Sequence, residues 1–240
     1  MQEIELKEIK KDYRSNEAYK SLRTNIEFSG EDNKVLVFTS CTPNEGKSTV
    51  TIALAHSLAE AGKKVLFIDA DLRKSVLAGR HNVNGQLKGL SHFLSGQTEL
   101  GEVMYRVKDT NMVMIFAGVI PPNPAELLGS KRFESLLASA RKAYDYVIID
   151  APPLGSVIDA AIIAKQSDAS VLVISANTVS HKFAKVVKEQ LEKSGCPILG
   201  VVLNKVDMGQ NKYYGRYYGK YYGSYGDYGH EKEGKAEEEA

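Results

Sequence analysis

The sequence is poor in the features that mark membrane-spanning, disulfide-stabilised and nucleic-acid-binding proteins. Its 240 residues include no Trp and only two Cys, and the formal net charge is +1. Apolar runs such as 35–38 and 147–149 are far shorter than the roughly 20 residues of a membrane-spanning helix. A balanced charge argues against nucleic acid as the main partner, because proteins that bind it usually gather a basic excess on one face.

Signs of secretion are also lacking. Residues 1–12 alternate acids and lysines and contain no apolar segment of the kind found in signal peptides. Cys41 and Cys196 lie in strand-like surroundings 155 positions apart, so we expect two reduced thiols. These absences favour a cytoplasmic protein.

Tyrosine is unevenly distributed along the chain. Eight of the 13 tyrosines lie in the sixteen residues 213–228, six of them within repeats of the form Lys/Arg-Tyr-Tyr-Gly. With Gly at every fourth position and no aliphatic residue, these repeats are not expected to pack as a helix or strand. We therefore predict a folded domain at 1–208 and a disordered tail at 209–240.

Before the tail, short apolar strands alternate with helices. The predicted strands are 35–39, 64–70, 113–116, 146–150, 170–175 and 198–204. The predicted helices are 14–28, 48–61, 131–143, 158–165 and 181–193. This order is typical of an α/β fold with a doubly wound, mostly parallel, buried sheet and helices on both faces. Such sheets bind ligands at the carboxyl ends of their strands.

The first predicted strand is followed by a candidate phosphate-binding loop. Residues 41–49 read Cys-Thr-Pro-Asn-Glu-Gly-Lys-Ser-Thr, which matches such a loop except that Cys41 replaces the first Gly. Amides at the start of the next helix would cradle phosphates, Lys47 would neutralise them, and Ser48 would ligate Mg²⁺. The alternative is a helix start with an exposed lysine.

Acidic residues end two other predicted strands. Asp69 and Asp71 close strand 64–70, and Asp150 closes strand 146–150. Carboxylates so close together repel one another unless a cation lies between them, and Mg²⁺ prefers hard oxygen ligands. One carboxylate can also accept a proton from an attacking hydroxyl. Together with the phosphate loop, these acids predict a nucleotide and Mg²⁺ site, although capping of the next turn is an alternative role.

The segment after the last predicted strand resembles the guanine-reading motif of GTPases. Asn204 begins the sequence Asn-Lys-Val-Asp. GTPases carry a Gly three residues after the acid of the preceding motif, where this chain has Pro153, and no strand follows Asp207. We therefore do not predict guanine specificity, and we retain Asn204 as a candidate base contact.

Taken together, these motifs resemble the catalytic domain of the bacterial tyrosine kinases of capsule and exopolysaccharide synthesis, the BY-kinases, over essentially the whole chain. The resemblance rests on the phosphate loop as Walker A, on 67–73 as Walker A′, on 148–153 as Walker B and on the terminal tyrosines. Segments 89–91 and 121–128 also look like parts of the family. The resemblance implies a P-loop fold related to MinD and ParA, with ATP and Mg²⁺ as cofactors.

The same resemblance assigns roles to individual residues. Lys47 and Asp69 would be catalytic, with Asp69 as the base that activates the tyrosine hydroxyl, and Mg²⁺ would be held by Ser48, Asp71 and Asp150. The implied nucleotide contacts are Pro43, Asn44, Glu45, Gly46, Lys47, Ser48, Thr49 and Asn204. The implied phosphoacceptors are Tyr213, Tyr214, Tyr217, Tyr218, Tyr221, Tyr222, Tyr225 and Tyr228.

Partners are implied as well. The family's ring-forming Glu-x-x-Arg-x-x-Arg motif appears as Glu17, Lys20 and Arg23, in which Lys20 keeps the charge but not the forked guanidinium. A homo-oligomeric ring, such as an octamer, would phosphorylate its tails in trans. A separate membrane-anchored activator would recruit the chain to the inner face of the membrane, and other proteins would be phosphorylated on Tyr. The alternative for the three charges is a solvated row on one helix.

Two other functions compete with a kinase. A MinD/ParA-type ATPase switch would hydrolyse ATP without kinase activity, but those proteins carry a signature lysine where this chain has Thr42. A Tyr/Gly tail with basic residues is also compatible with an adhesive or single-strand-binding segment that stacks on bases. The balanced charge of the chain disfavours that function.

Overall fold

A mostly parallel sheet of eight strands organises the described part of the chain. The computed structural model describes residues 1–6, 13–80 and 87–207, and the elements below lie in one compact unit, Met1–Asn204. The strands are β1 (Gln2–Ile4), β2 (Val35–Ser40), β3 (Val65–Asp69), β4 (Tyr105–Val107), β5 (Met112–Ile115), β6 (Tyr146–Asp150), β7 (Ala169–Ser175) and β8 (Ile198–Asn204).

Helices connect most of these strands. They are α1 (Tyr13–Glu27), α2 (Lys47–Glu60), α3 (Leu77–Arg80), α4 (Leu90–Leu94), α5 (Leu100–Val103), α6 (Pro124–Leu128), α7 (Lys131–Ala143), α8 (Asp159–Ala164) and α9 (His181–Glu192). The long helices α7 and α9 each begin at a serine whose hydroxyl accepts a hydrogen bond from the amide of a phenylalanine three residues on. In the described residues, no helix has the length and apolar character needed to cross a bilayer.

The sheet has the strand order β1-β4-β5-β3-β6-β2-β7-β8. All neighbouring strands are parallel except β4 and β5, which run antiparallel. This arrangement confirms the predicted doubly wound, mostly parallel α/β fold. The carboxyl ends of β2, β3 and β6 meet at one edge, where the candidate phosphate loop and the strand-end acids follow them.

Both faces of the central strands are buried under helices. Val35 and Val37 of β2 pack in the core that α7, α8 and α9 cover, whereas Leu36 and Phe38 pack in the core that α1 and α2 cover. Every residue of β2 and β3 is buried. A strand enclosed on both sides has no polar face, which is why the sequence shows continuous apolar runs there.

At its margins the sheet differs from the sequence-based expectation. The short strands β1 and β4 were not predicted, and β8, predicted as a buried strand, leaves Val201 55% and Leu203 43% exposed. The physical reason is its edge position, since within residues 1–6, 13–80 and 87–207 the only strand paired with β8 is β7. The predicted tail 209–240, with its eight tyrosines, lies outside the described residues.

The segment after β6 runs directly beneath the start of the phosphate loop. The Thr39 hydroxyl donates a 2.8 Å hydrogen bond to the Pro152 carbonyl, and the Leu154 amide donates one of 2.9 Å to the Ser40 carbonyl. A Cβ added to Gly155 would lie 2.2 Å from the Cys41 carbonyl oxygen and 2.8 Å from Cζ of Phe183. Only glycine allows this approach between the two backbones.

A Gly155→Ala substitution tests this packing. Because the clash is with backbone, we expect a loss of about 1–3 kcal/mol in the free energy of unfolding, as for other overpacked sites. Gly101→Ala in α5 is the matched control, since a Cβ there meets nothing within 4 Å. Urea denaturation of both variants measures the difference, and equal stabilities would contradict the close approach.

Candidate active site

The phosphate loop is held in a conformation that exposes backbone amides. The loop turns at Asn44 and Gly46, whose φ angles are 66° and 85°, in the left-handed region that glycine adopts without strain. Helix α2 begins directly afterwards at Lys47. The free amides of its first turn and the positive end of its dipole therefore face the loop, and this is a favourable environment for phosphate.

Two of the residues predicted to contact nucleotide, Glu45 and Asn204, form hydrogen bonds with the protein's own backbone. The buried Glu45 carboxylate accepts hydrogen bonds from the Thr42 amide at 2.7 Å and from the Ser175 amide at 3.3 Å. The Asn204 side-chain amide donates to the Glu45 carbonyl at 2.9 Å. Thus Glu45 and Asn204 fasten the loop to the ends of β7 and β8.

The side chain of Lys47 reaches the carboxyl end of β6. Its Nζ is 2.5 Å from Oδ1 of Asp150 and 3.3 Å from Oγ of Ser48, and its side chain is only 6% exposed. Thr51, one turn along α2, has its hydroxyl 3.4 Å from the same Asp150 oxygen. The P-loop lysine and the acid at the end of β6 therefore form a buried ion pair.

Asp69 faces Asp150 across the sheet. The two residues are register partners at the ends of β3 and β6, and each is 1% exposed. Burial, with the neighbouring charge of Asp150, raises the pKa of Asp69 to about 7, although the Ser75 hydroxyl and Lys47 act in the opposite direction. The Ser75 hydroxyl donates a hydrogen bond to Oδ2 of Asp69. A carboxyl group with this pKa is suited to gaining and losing protons near neutrality.

Asp71 begins the loop that follows β3. Its Oδ1 accepts hydrogen bonds from the Arg73 amide at 3.3 Å and the Lys74 amide at 2.9 Å, so a tight turn fixes its carboxylate. The Arg73 guanidinium reaches the loop after β6, where it pairs with Asp159. Sequence reasoning did not single out Thr51 or Asp159, because each acts through a partner distant in sequence. It also did not single out Ser75, whose partner Asp69 lies only six positions away.

Oxygen ligands of the kind that Mg²⁺ prefers converge at this edge. In the ranges that the structure describes, no three His, Cys, Asp or Glu side chains lie close enough to hold a metal by themselves. Ser48, Asp71 and Asp150 are nevertheless hard oxygen donors, and Mg²⁺ is usually bound by one or two carboxylates together with waters and substrate phosphates. The residues therefore fit Mg²⁺ that is held jointly with a nucleotide.

Some of the predicted site residues lie away from these strand ends, and others fall outside the residues that the structure describes. Glu17 and Lys20 pair with each other on α1 at 2.7 Å, and Arg23 donates a 2.9 Å hydrogen bond to the Ser57 carbonyl of α2. Glu17 and Lys20 therefore lie on the surface of α1, whereas Arg23 is partly buried against α2. Pro43 and Thr49 are exposed in and beside the phosphate loop. The tail tyrosines fall outside the described residues.

Known proteins share this architecture. A protein-family model described as an AAA domain matches residues 34–193. The tyrosine-protein kinase CpsD of Streptococcus agalactiae is 41% identical over 216 residues, which cover 90% of this chain and 89% of the relative.

Solved structures agree with the sequence matches. The kinase domain of the Escherichia coli tyrosine kinase ETK superposes with a TM-score of 0.74 at 35% identity, covering 80% of this chain and 78% of that one. The septum site-determining protein MinD of Pyrococcus horikoshii, in complex with Mg-ADP, superposes with a TM-score of 0.63 at 25% identity, covering 75% and 72%.

The family assignment follows from three independent agreements. The sheet carries a P-loop at the expected strand end, the family model spans most of the chain, and the kinase relative aligns over nearly its full length. The chain belongs to the bacterial tyrosine-protein kinase family.

Proposed function

We propose that the chain is an ATP- and Mg²⁺-dependent protein tyrosine kinase that phosphorylates its own C-terminal tyrosine cluster in trans. The observation that carries this proposal is the pair of buried acids, Asp69 and Asp150, placed in register beside the P-loop lysine. One acid is suited to bind a cation and the other to accept a proton. A phosphoryl transfer to a hydroxyl needs both roles.

In this proposal the P-loop binds the phosphates of the nucleotide and Mg²⁺ neutralises part of their charge. Amides at the start of α2 and the residues 43–49 bind the phosphates, and Ser48, Asp71 and Asp150 would hold Mg²⁺. When bound, the ion neutralises charge on the β- and γ-phosphates. The MinD relative solved with Mg-ADP supports this use of the fold.

Lys47 must change partners for this arrangement to form. In this structure its ammonium group pairs with Asp150 at 2.5 Å. When Lys47 binds phosphate oxygens instead, Asp150 loses its counter-charge and would be left as an unpaired buried anion. Cation binding at Asp150 therefore compensates for the loss of Lys47, so nucleotide and Mg²⁺ would bind together.

Asp69 is the proposed base. A tyrosine hydroxyl has an ordinary pKa near 10, so it needs an acceptor as its oxygen attacks the γ-phosphate. The Asp69 carboxylate is placed beside the cation site, and its proton affinity is raised by burial. The Ser75 hydroxyl would give up its hydrogen bond to Asp69 when the tyrosine enters.

The length of the tyrosine segment favours transfer between chains. Residues 207–228 would span about 25 Å as a flexible Gly-rich chain and up to roughly 70 Å when extended. Distal tyrosines can therefore reach a second subunit. Each phosphate adds about −1.5 to −2 charges, so extensive modification would favour release of the tail and loosening of the assembly.

A ring of subunits, for example an octamer, would use the charged row on α1. Glu17 and Lys20 pair within one subunit, so an intersubunit contact through them must exchange that ion pair for a new one. A terminal nitrogen of Arg23 already donates to the carbonyl and hydroxyl of Ser57, so fewer of its N–H groups are available to a neighbouring subunit. Because an exposed ion pair contributes little free energy, exchanging the Glu17–Lys20 pair for a contact between subunits would cost little.

The cellular role is proposed from the family. We place the kinase in the regulation of capsular or extracellular polysaccharide synthesis, with a membrane-anchored activator and with further protein substrates modified on Tyr. The alternative of a MinD/ParA-type ATPase switch is less favoured, because the relatives that cover most of the chain at 41% identity are named tyrosine-protein kinases, whereas MinD is 25% identical.

Replacing Glu45 with Gln tests how the phosphate loop is held. A Gln side chain has one carbonyl oxygen, so one of the two amides that Glu45 binds would lose its acceptor in a buried place. We expect about tenfold weaker binding of ATP, from the cost of an unsatisfied buried donor. Titration with a fluorescent ATP analogue measures it, and Glu189→Gln on the exposed face of α9 is the control. Equal affinities of the two variants would show that Glu45 does not support the loop.

Two full-length variants test phosphorylation in trans. Lys47→Met keeps the tail tyrosines but lacks the catalytic lysine, and the second variant keeps Lys47 with all eight tail tyrosines changed to Phe. Incubated separately with Mg·ATP, neither tail should acquire phosphotyrosine, because one lacks activity and the other lacks acceptors. Mixed, they should yield phosphotyrosine on the Lys47→Met chain, detected by mass spectrometry.

The control is Lys165→Met, an exposed lysine after α8 that should leave self-labelling intact. A wild-type chain that labels itself while the mixture stays unlabelled would contradict transfer in trans. A wild-type chain that hydrolyses ATP but stays unlabelled would favour the ATPase switch.

A further inference from the structure

One buried charge near the site is not used by the proposed chemistry. Asp159 is wholly buried at the first position of α8. Both of its carboxylate oxygens are bound by Arg73, with 2.7 Å from Nε to Oδ2 and 2.9 Å from the terminal nitrogen to Oδ1. A two-point bond of this kind fixes the relative orientation of the two groups as well as their distance.

The pair joins the two loops that carry the proposed Mg²⁺ ligands. Arg73 lies two residues after Asp71, in the loop that leaves β3. Asp159 lies nine residues after Asp150, at the end of the loop that leaves β6. The ion pair therefore joins the segments that follow the Walker A′ and Walker B acids.

Arg73 also orders Asp71 directly. Its backbone amide donates to Oδ1 of Asp71, while its side chain is held by Asp159. The hydrogen bonds with Asp159, and then the charges of Asp159, Asp71 and Glu126, raise the pKa of Arg73, which shows a cation surrounded by carboxylates. Movement of the guanidinium would thus move the turn that presents Asp71.

We propose that the Arg73–Asp159 pair is a positioning element that sets the separation of Asp71 and Asp150 for Mg²⁺ binding. This inference rests on the proposed Mg²⁺-dependent function. Mg²⁺ requires nearly octahedral coordination, so its affinity depends on where its ligands are placed. Residues that hydrogen-bond to the ligands and orient them therefore influence that affinity. The pair would act through Asp71 and Asp150 and would not touch the nucleotide.

Nucleotide binding measured with and without Mg²⁺ tests this role independently of kinase activity. A fluorescent N-methylanthraniloyl-ADP is titrated into the full chain in EDTA, and its binding is then followed as Mg²⁺ is added. For Arg73→Lys, which keeps the charge but loses the two-point bond, we expect the Mg²⁺ midpoint to rise by about 10- to 100-fold. The affinity in EDTA should stay that of wild type.

Asp159→Asn provides a second variant of the same pair. It should shift the Mg²⁺ midpoint in the same direction, and the double variant with Arg73→Lys should shift it less than the sum of the two singles, because both remove one interaction. Thermal melts accompany each titration, so that partial unfolding is detected separately.

The Arg141–Asp168 pair supplies a matched control. It is also a two-point contact, with distances of 3.1 Å and 3.0 Å to Oδ1, but Asp168 binds the Val35 amide at the opposite end of β2. Arg141→Lys should lower the melting temperature without moving the Mg²⁺ midpoint. The positioning role is overturned if Arg73→Lys moves the midpoint no further than Arg141→Lys does, or weakens binding equally in EDTA.

Asp71→Asn separates failure of this inference from failure of the proposed function. If Mg²⁺ tightens nucleotide binding to the wild type but not to Asp71→Asn, the proposed ion site stands, and the Arg73→Lys results named above then decide the positioning role by themselves. If wild type itself shows no Mg²⁺ dependence, the proposed ion site is overturned and the positioning role with it.

Discussion

The repulsion between Asp69 and Asp150 is the constraint on which the site depends. Parallel pairing of β3 and β6 places the two acids directly opposite each other, and helices on both faces keep them out of water. Two buried carboxylates on neighbouring strands are tolerated only if a cation balances their charge or if one of them is protonated. The structure shows both solutions at once, with Lys47 against Asp150 and a raised pKa at Asp69. An edge that must take up positive charge and exchange a proton is suited to phosphoryl transfer.

Rigid supports hold this edge in place. Glu45 and Asn204 fasten the phosphate loop from β7 and β8, and Gly155 lets the segment after β6 pass beneath the Cys41 carbonyl. Arg73, in the loop after β3, is bound to Asp159 at the start of α8, where the loop after β6 ends. Each support joins segments that follow different strands. The residues proposed to bind nucleotide and Mg²⁺ are therefore positioned by the whole sheet and not only by the loops in which they lie. Precise placement of this kind is what makes electrostatic catalysis effective.

The sequence predicted the central strands and the site acids because their causes are local. A strand buried on both faces is a continuous apolar run, so a polar residue such as Asp69 or Asp150 at its end stands out. By contrast, the three-residue strand β4 was not predicted, and β8 was predicted with the right bounds but as a buried strand, since its apolar sequence does not reveal its edge position. The bonds of Arg73 to Asp159 and of Glu45 to Ser175 join residues 86 and 130 positions apart. Such long-range pairs arise from the topology of the sheet, so the sequence pattern alone did not reveal the bond of Glu45 to the end of β7 or the role of Asp159.

Mass spectrometry of the tail after incubation with Mg·ATP tests the central claim most directly. The wild-type chain and the control Asp109→Asn, an exposed position in a turn, should acquire phosphates on the tyrosines of 213–228. Asp69→Asn should acquire none, although it should still bind Mg²⁺ and ADP, because it removes only the proton acceptor. An Asp69→Asn tail phosphorylated as heavily as the wild-type tail would contradict the assignment of Asp69 as the base for tyrosine phosphorylation.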